Sequence, residues 1–422
     1  MPSLNIIITD EKFNNVYQRL ITIYNENKVD LTDVIDKINN IFNGISSEGS
    51  ESSESSEGSE GNHMLLYKLK VALETQFMRD VKYKYKFILT ATPTKVGCDL
   101  RELIFNYQTE SERRVLLENI NTSSRYLVNN ISGHKIPHIL TDIDDTLFPN
   151  ASYFVQISGR DTSWINNEPY PGICKFYELF YKNLIVPESR YSTVLTASPM
   201  FLKESKIYDD RIIKILGSNF GFIQGSETKR DVLDTILKGM YHNRFYHIAP
   251  SAIKIGLMKF HKFQQYSRIF PEYKLFFIGD NGQGDLLAGK MMLKDNAECL
   301  VFIHNILYQN KLLFSTDIIR AHTEQFSGRL FFFKNYLELS FIFMNSLKIF
   351  SKSQYEEIKT TVISDIQIGL ETEAVQVEAI QHYIGNTEEW QINEADIINK
   401  NSNRKSKAKA IHCYTRKKNK KQ

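Results

Sequence analysis

Residues 136–150 read IPHILTDIDDTLFPN, and this stretch decides how the rest of the chain is interpreted. It begins with a short apolar run that is typical of a strand covered on both faces. Asp142, Asp144 and Thr146 follow at a spacing of two, where such a strand meets its loop. In an open α/β sheet, ligands bind outside the carboxyl ends of the strands. We therefore expect these three side chains to line a binding or catalytic site.

Two later stretches also consist of an apolar run that ends in polar residues. Residues 191–199 read YSTVLTASP and predict a strand that ends at Thr196. Residues 274–285 read KLFFIGDNGQGD and predict a strand that ends at Asp280, followed by a loop that Asp285 closes. This loop contains two glycines that favour a tight turn, Gly282 and Gly284.

Between these two stretches, Lys259 lies in a helical pattern that runs to Pro271. A strand with two aspartates, a strand with Thr, a lysine, and a strand with Gly-Asp and a second Asp follow in order. This is the four-motif order of the haloacid dehalogenase superfamily, which the chain resembles. The resemblance implies an α/β fold with a three-layer, Rossmann-like parallel sheet. It also implies a phosphoric monoester hydrolase, because the second aspartate of the first motif distinguishes hydrolytic members from those with other chemistry.

The resemblance gives each motif residue a role. A carboxylate nucleophile splits one difficult displacement into two easier ones through an aspartyl-phosphate, and Asp142 is the candidate. Asp144 is expected to point to the same side of an extended backbone and to act first as general acid and then as general base. Thr196 and Thr146 are expected to bind the phosphate. Lys259 is expected to neutralise both the nucleophile and the phosphate.

A metal ion belongs to this chemistry, because an anionic substrate that faces several carboxylates requires a cation. Mg2+ suits the role, since it binds through one or two carboxylates and the phosphate while it keeps some waters. By resemblance the ligands are Asp142, the main-chain carbonyl of Asp144, and Asp280. Asp285 would hold the metal or its water.

Some of these assignments have alternatives. Ser198 is an alternative to Thr196 as the hydroxyl donor. Lys259 is preferred as the motif lysine for its spacing from Pro271 in the superfamily pattern. The neighbouring lysines that are alternatives are Lys254 and Lys262. Asp145 lies between the predicted catalytic positions, should face away from them, and is interpreted as structural.

Four segments also resemble one narrower family more closely. They are TDIDDT at residues 141–146, YPG at 170–172, TASP at 196–199, and FPEYKLFFIGDNGQGD at 270–285. They are similar to the conserved-domain family that includes the actin-patch-associated phosphatidate phosphatase, over about residues 137–305. The chain departs from that pattern at Thr196-Ala197, Asn281 and Leu286. The likeness implies phosphatidate or a related phospholipid as substrate.

The 422 residues are enough for two or three domains, and composition divides them into six segments. Residues 46–61 contain five Glu and no basic residue, which predicts disorder. The segments are a helical N-terminal region (1–45), this acidic Ser/Glu/Gly loop (46–61), an accessory α/β region (62–135), the phosphatase domain (136–350), a helical extension (351–398) and a disordered basic tail (399–422). The accessory region includes a β-like stretch, YKYKFILTATPT, at residues 83–94.

Three further stretches of the predicted phosphatase domain have structural interpretations. The aromatic-rich insert with Trp164 and Tyr170 either contacts substrate or leads into a helix, residues 173–181, that packs on the sheet. Residues 299–304 predict another parallel strand. Residues 331–350 are very aromatic but contain Lys334, Glu338 and Lys348, which favours a helix buried against the sheet over a membrane span.

The cysteines and the tail bear on location and partners. Four scattered cysteines without metal or disulfide spacing, and no signal peptide, predict a reducing, cytoplasmic location. None begins the Cys-x5-Arg pattern of a thiol phosphatase. The tail from residue 400 to 421 holds ten Lys or Arg and no acid. Such a tail can bind anionic lipid at a membrane surface, nucleic acid or a nuclear import receptor, and nothing else in the chain favours nucleic acid.

The sequence is therefore compatible with three functions. The first is a Mg2+-dependent phosphatase of phosphatidate or a related phospholipid. The second is a phosphatase of a protein, a nucleotide or a small phosphometabolite, because Asp-x-Asp-x-Thr serves all of these. The third is a catalytically idle scaffold that binds partners through its helices and its basic tail.

Overall fold

A computed structural model of the chain describes residues 56–72, 74–75, 100–105, 109–149, 161–196, 206–223, 250–282, 284–308, 311–326 and 328–371. The predicted N-terminal helices, the β-like stretch at residues 83–94 and the basic tail lie outside these ranges.

The centre of the structure is a six-stranded sheet in which all strands are parallel. The strands are β1 (Ile136–Thr141), β2 (Thr193–Leu195), β3 (Gly221–Ile223), β4 (Tyr273–Asp280), β5 (Leu300–His304) and β8 (Leu330–Phe333). A separate antiparallel hairpin consists of β6 (Leu307–Tyr308) and β7 (Lys311–Leu312). The order across the sheet is β3-β2-β1-β4-β5-β8. The predicted strands at residues 136–141, 191–196, 274–280 and 299–304 are therefore members of one sheet.

Helices precede the sheet and connect its strands. They are α1 (Ser56–Ala72), α2 (Leu100–Phe105), α3 (Glu110–Leu127), α4 (Ile173–Lys182), α5 (Lys206–Leu216), α6 (Pro250–Ile269), α7 (Asp285–Asp295), α8 (Thr316–Glu324), α9 (Tyr336–Asn345) and α10 (Lys352–Glu371). A short π-helical turn, Val128–Ser132, follows α3, and a 3-10 turn, Pro187–Ser189, precedes β2.

The core consists of two apolar clusters, one on each face of the sheet. Successive residues of a strand point to opposite faces, and β4 shows this alternation. Leu275 and Phe277 pack with α1, α3, α6 and α7, whereas Phe276 and Ile278 pack with α4, α5, α9 and α10. The result is a three-layer, Rossmann-like α/β arrangement, and its strands are apolar on both faces because both faces are covered.

The strand order reverses direction between β1 and β4, which are neighbours in the sheet although the chain between them also builds β2 and β3. The two strands are in register, with Leu140 opposite Phe277 and Thr141 opposite Ile278. The ladder continues one residue past β1, because the Asp142 amide donates to the Ile278 carbonyl at 2.8 Å. In open α/β sheets, ligands bind outside the carboxyl ends of the strands at such a reversal.

The predicted disordered loop at residues 46–61 is wrong for its last six residues. Residues 56–61 belong to α1, whose later residues are buried in the core. A helix that packing has already nucleated adds further residues at little cost.

The prediction of a buried helix over residues 331–350 is right only for part of that stretch. Residues 330–333 form β8, the edge strand beside β5, and the helix α9 begins at Tyr336. A short aromatic run is compatible with strand or helix by periodicity alone. Asn335 separates the two elements, because its side chain accepts from the Glu338 amide and caps α9. Among the helices that the structure describes, none combines the length and hydropathy needed to cross a membrane.

The described part of the helical extension, residues 351–371, is continuous with the core, and residues 372–398 lie outside the described part of the chain. α10 begins at Lys352 and buries one face against α4 in the same apolar cluster as the sheet. Its buried side chains, spaced three or four residues apart, are Tyr355, Ile358, Val362 and Ile366. The Asp365 carboxylate accepts a hydrogen bond from the Gly172 amide at 2.9 Å. The packing therefore shows no boundary at residue 350.

A buried ion pair attaches the accessory helices to the sheet. Lys70 of α1 lies 2.6 Å from Glu272, which directly precedes β4, and both side chains are at most 1 % exposed. The second oxygen of Glu272 accepts from the Ser124 hydroxyl of α3 at 2.6 Å. Lys70 also donates to the Ile269 carbonyl at 3.0 Å. Each charge therefore has several partners, as burial requires.

We predict that Lys70→Met destabilises the protein by about 3–5 kcal/mol, because it leaves the carboxylate of Glu272 buried without its cation. Lys182→Met is the matched control. Lys182 pairs with Glu178 at 2.6 Å but is 59 % exposed, so its loss should cost no more than about 1 kcal/mol. Urea unfolding measures both changes. Equal unfolding midpoints for the two variants would contradict the structural importance of the buried pair.

Candidate metal and phosphate site

Three buried carboxylates meet at the carboxyl edge of the sheet, where the strand order reverses. Asp142 follows β1 directly, Asp280 ends β4, and Asp285 begins α7. One oxygen from each lies within 4.8 Å of the others, and the three residues are at most 3 % exposed. These are three of the four predicted metal ligands. The fourth, Asp144, was expected to contribute its main-chain carbonyl, and its carboxylate is not part of this cluster.

Lys259 of α6 is the lysine that the structure places against these acids. Its Nζ lies 2.7 Å from Asp142 Oδ1 and 2.5 Å from Asp285 Oδ1, and its side chain is 2 % exposed. Of the two alternatives, Lys254 is exposed in the first turn of α6, whereas Lys262 is buried three residues beyond Lys259. The contacts of Lys259 agree with its predicted role as the cation beside the nucleophile.

The polar atoms of this site are incompletely satisfied. Asp280 Oδ1 accepts from the Gly282 amide, but Oδ2 of Asp280 and Oδ2 of Asp285 are buried without a hydrogen-bond partner. Three carboxylates also face one ammonium, which leaves an excess of negative charge in a buried site. A divalent cation would balance that charge, and carboxylate oxygens are the ligands that Mg2+ and Ca2+ prefer. The residues present therefore fit a divalent metal.

Three glycines allow the acids to approach one another. A Cβ at Gly279 would lie 2.8 Å from the Cβ of Asp285, closer than side-chain carbons pack. Gly284 has φ +100°, a conformation that only glycine adopts readily, and it caps the N-terminus of α7. Gly282 is also confined, since a Cβ there would lie 2.8 Å from Asp280 Oδ1. The glycine-rich loop is therefore a requirement of the site and not only a turn.

Burial and mutual repulsion raise the pKa of two of the acids. Burial raises the pKa of Asp280 well above its usual range, and the negative charges of Asp285, Asp145 and Asp142 add to this. Burial also raises the pKa of Asp285 to about 7, although Lys259 opposes that shift. The pKa of Lys259 is lowered by burial, but the charges of Asp142 and Asp285 raise it more, so the ammonium stays protonated.

The loop after β1 is a tight turn and does not continue the extended strand. The amides of Thr146 and Leu147 donate to the Ile143 carbonyl at 3.2 and 2.8 Å, and Asp145 has φ +56°. Asp144 therefore lies within this turn, and the position of its carboxylate on the same side as that of Asp142 stays a prediction. Asp144 is 7 % exposed, more than any of the three clustered acids.

Asp145 makes contacts that hold the turn after β1, and its charge also acts on Asp280 in the acid cluster. Its carboxylate accepts from the Asp161 amide at 3.1 Å, and its carbonyl lies 2.7 Å from Nδ1 of His304. The other ring nitrogen of His304 lies 2.9 Å from the Lys334 carbonyl. A non-glycine residue in the left-handed region costs about 1–3 kcal/mol and persists only where its surroundings hold it. These contacts hold the turn that carries Asp144.

Sequence reasoning missed Asp161. Its carboxylate, which is 2 % exposed, accepts from the Tyr170 hydroxyl at 2.6 Å and from the Leu307 amide at 2.9 Å. It also accepts from the amide and the hydroxyl of Ser163 at 3.0 and 2.6 Å. It thereby joins the insert to the β6–β7 hairpin. An isolated aspartate in a polar insert carries no motif, so its partners become evident only in three dimensions.

The insert packs on the sheet where the structure describes it. Tyr170 is 2 % exposed and stacks on Tyr336, and residues 173–181 form most of α4. For Tyr170 the packing interpretation is therefore the observed one. Trp164 is partly exposed and packs against the apolar cluster that also contains Tyr170 and Tyr336. Residues 151–160 lie outside the described part of the chain.

The two predicted phosphate-binding threonines lie at the same edge of the sheet. Thr196 follows β2 directly, is 1 % exposed, and its amide donates to the Ile223 carbonyl at 3.4 Å. Thr146 lies in the turn after β1, and its hydroxyl is buried without a hydrogen-bond partner. Ser198, the alternative to Thr196, lies outside the described residues.

The described cysteines give no support to thiol chemistry. Cys174 and Cys299 are free, and burial raises the pKa of Cys174 to about 11 and that of Cys299 to about 12. A thiol with such a pKa is not a nucleophile at neutral pH.

A scan against protein-family models matches no family, and a search of curated proteins finds no match to this chain. The geometry of the site and the motif order of the sequence therefore have to indicate the function.

We predict that the affinity for Mg2+ rises between pH 6 and pH 8. The raised pKa values mean that Asp285 and Asp280 hold protons at the lower pH, and these protons must leave when a cation binds. Calorimetry in two buffers of different ionisation enthalpy should detect the released protons. Asp295→Asn, a matched change at the far end of α7, should bind Mg2+ like the parent. Equal affinity at both pH values without proton release would contradict the prediction.

We also predict that Thr146→Val leaves the free energy of unfolding unchanged or raises it by about 1 kcal/mol, because the lost hydroxyl has no partner. The same variant should bind inorganic phosphate more weakly. Thr193→Val is the control, since the Thr193 hydroxyl bonds His138 and Tyr266 at 3.1 and 3.0 Å, and its loss should be destabilising. Chemical unfolding and phosphate titration measure the two effects. If Thr146→Val is clearly destabilised and binds phosphate like the parent, the Thr146 hydroxyl serves the stability of the fold and not phosphate binding.

Proposed function

We propose that this protein is a Mg2+-dependent phosphoric monoester hydrolase of the haloacid dehalogenase type, which acts through an aspartyl-phosphate. One observation carries the proposal. Lys259 is held by Asp142 and Asp285, with Asp280 beside them, where the strand order reverses. The four motifs that the sequence places far apart supply residues to this one edge, in keeping with the superfamily resemblance.

In the first step, an oxygen of Asp142 attacks phosphorus and the bond from phosphorus to the ester oxygen breaks. Asp144 gives its proton to the departing alkoxide, which leaves as the alcohol. Asp144 is suited to this exchange, because it is the most exposed of the motif acids and lies on a turn held in place by Asp145 and His304.

In the second step, water attacks the phosphorus of the aspartyl-phosphate. Asp144 takes a proton from that water, the bond from phosphorus to Asp142 breaks, and inorganic phosphate leaves. The enzyme returns to its starting state with Asp142 ionised and Asp144 protonated. No further reactant is required.

The other residues neutralise and orient the phosphoryl group. The ammonium of Lys259 balances the charge of Asp142 and of the phosphate, and the hydroxyls of Thr146 and Thr196 donate hydrogen bonds to phosphoryl oxygens. Mg2+, held by Asp142, Asp280, Asp285 and the carbonyl of Asp144, would supply the additional positive charge that phosphoryl transfer requires.

Phosphatidate or a related phospholipid is the substrate class that we propose. The support is the likeness of residues 137–305 to the phosphatidate phosphatase family, together with the basic tail, which suits contact with anionic lipid. Soluble phosphomonoesters of proteins, nucleotides or metabolites are the alternative substrates, because the same acids and lysine serve them equally.

An idle scaffold fits the site less well. Three carboxylates buried together with two unpartnered oxygens cost free energy. The buried pair of Lys70 and Glu272 shows how the same fold satisfies charges that serve structure alone. An arrangement that is costly in the free protein is expected where a cation and a phosphate complete it.

We predict that the parent releases phosphate from phosphatidate in mixed micelles and that a chelator abolishes this activity. Asp142→Asn removes the nucleophile and should lower kcat by on the order of a thousandfold or more. Asp144→Asn removes the proton donor and should lower kcat by roughly a hundredfold or more. Asp295→Asn makes the same chemical change ten residues beyond Asp285 and should keep the parent activity.

An aryl phosphate assayed in parallel separates the parts of the proposal. Hydrolysis of the aryl phosphate without hydrolysis of phosphatidate would retain the phosphatase and exclude the lipid substrate. If the parent acts on neither compound, or if Asp142→Asn is as active as the parent, the proposed function is wrong and the scaffold is favoured.

A further inference from the structure

Helices α7 and α8 bring a lysine and a histidine together outside the acid cluster. Nζ of Lys290 on α7 lies 2.8 Å from Nδ1 of His322 on α8, and both side chains are partly buried. An ammonium has only hydrogens to donate, so this ring nitrogen of His322 must be the acceptor. The imidazole is therefore neutral and acts as a base toward the lysine.

Aromatic packing sets the position of the imidazole. The ring of His322 stacks on Phe332 with centroids 6.3 Å apart, and its centroid lies 5.7 Å from that of Phe314. Phe332 belongs to β8, so the central sheet supports one face of the ring. The base beside Lys290 is therefore packed against the body of the protein.

The charge of Lys290 is not balanced by a carboxylate. Among the described residues, no Asp or Glu forms a salt bridge with Lys290, and His322 is its hydrogen-bond partner. Burial lowers the pKa of Lys290, and the charge of Lys294, one turn further along α7, lowers it again. Desolvation and a neighbouring cation are the two conditions that make a lysine amine nucleophilic.

Lys175 on α4 shows the ordinary arrangement of a surface lysine in this fold. Its Nζ lies 2.8 Å from Glu178 and 3.1 Å from Glu357. The hydrogen bond to Glu178 raises the pKa of Lys175, which keeps its nitrogen protonated and unreactive. Lys290 has a base where Lys175 has acids, so the two amines are expected to differ in reactivity.

We propose that Lys290 is a modification site, at which an acyl phosphate acylates the amine with His322 as the base. The exposed ammonium of Lys294 attracts the anionic donor. After the ammonium of Lys290 has lost one proton to water, the nitrogen lone pair attacks the acyl carbon. The bond from that carbon to the phosphate oxygen breaks, and inorganic phosphate leaves. Nδ1 of His322 takes the proton that the nitrogen releases and passes it to the departing phosphate.

The test is acetylation of the full chain by acetyl phosphate, followed over time by peptide mass spectrometry. A chelator is present, so that the proposed phosphatase does not consume the reagent. Lys290 should be acetylated at least about tenfold faster than Lys294 or Lys175. Lys294 is the internal control, because it lies on the same helix and is more exposed than Lys290. Modification governed by exposure alone would favour Lys294.

Variants of the base complete the test. His322→Phe keeps an aromatic ring without a base, and His322→Gln keeps a polar side chain that is not a base. Each should lower the acetylation rate of Lys290 about tenfold, and urea unfolding checks that each variant is folded. His261→Phe is the matched control. His261 is exposed on α6, 3.3 Å from Nε2 of Gln265, so this variant should react like the parent.

Equal acetylation rates for Lys290 and Lys294 in the parent would overturn the proposal, and this comparison requires no variant. An unchanged rate at Lys290 in a folded His322 variant would overturn the role of the base. Hydrolysis of a phosphate ester has no part in the assay, so its outcome is independent of the proposed function.

Discussion

The arrangement of the site depends on one buried ammonium. Lys259 lies between Asp142 and Asp285, and these charges have little solvent to stabilise them. A single ammonium is too little charge for three carboxylates, and two of their oxygens remain unpartnered. Burial, together with the repulsion between the acids, raises the pKa values of Asp280 and Asp285. The fold has to hold the acids together against their repulsion. The adjacent strands β1 and β4 bring the acids together. Glycines occupy the neighbouring positions where a side chain would collide with the acids.

Lys70 and Lys259, two buried lysines at opposite ends of the sheet, differ in how their partners are arranged. Lys70 has a carboxylate and a carbonyl as partners, and the second oxygen of Glu272 bonds Ser124, so that network is complete. Lys259 belongs to a network that a metal ion and an anion would complete. Complete networks stabilise a fold, whereas incomplete buried networks are costly unless a ligand satisfies them. The difference separates a structural from a functional use of the same residue type.

The acid cluster and the residues around it are expected to contact different parts of a substrate. The buried charges suit a phosphate group and carry no information about what the phosphate is attached to. The edge around them is partly apolar and exposed, with Ile253 and Leu257 beside Lys254, whereas the site itself consists of buried charged groups. Selection of the leaving group is therefore expected to depend on this rim, the hairpin and the loops that border it, since residues on loops vary more freely than residues on the strands.

The sequence by itself determined the parallel strands, the helix around Lys259 and the motif acids, because apolar periodicity and residue order are local properties. It could not determine that residues 330–333 are a strand, since a short aromatic run fits either element until β5 pairs with it. Only the tertiary structure decided which lysine meets the acids, that Asp144 lies on a turn with Asp145 left-handed, and that Asp161 binds the hairpin. These features arise from contacts between residues far apart in the chain, and no local pattern encodes such contacts.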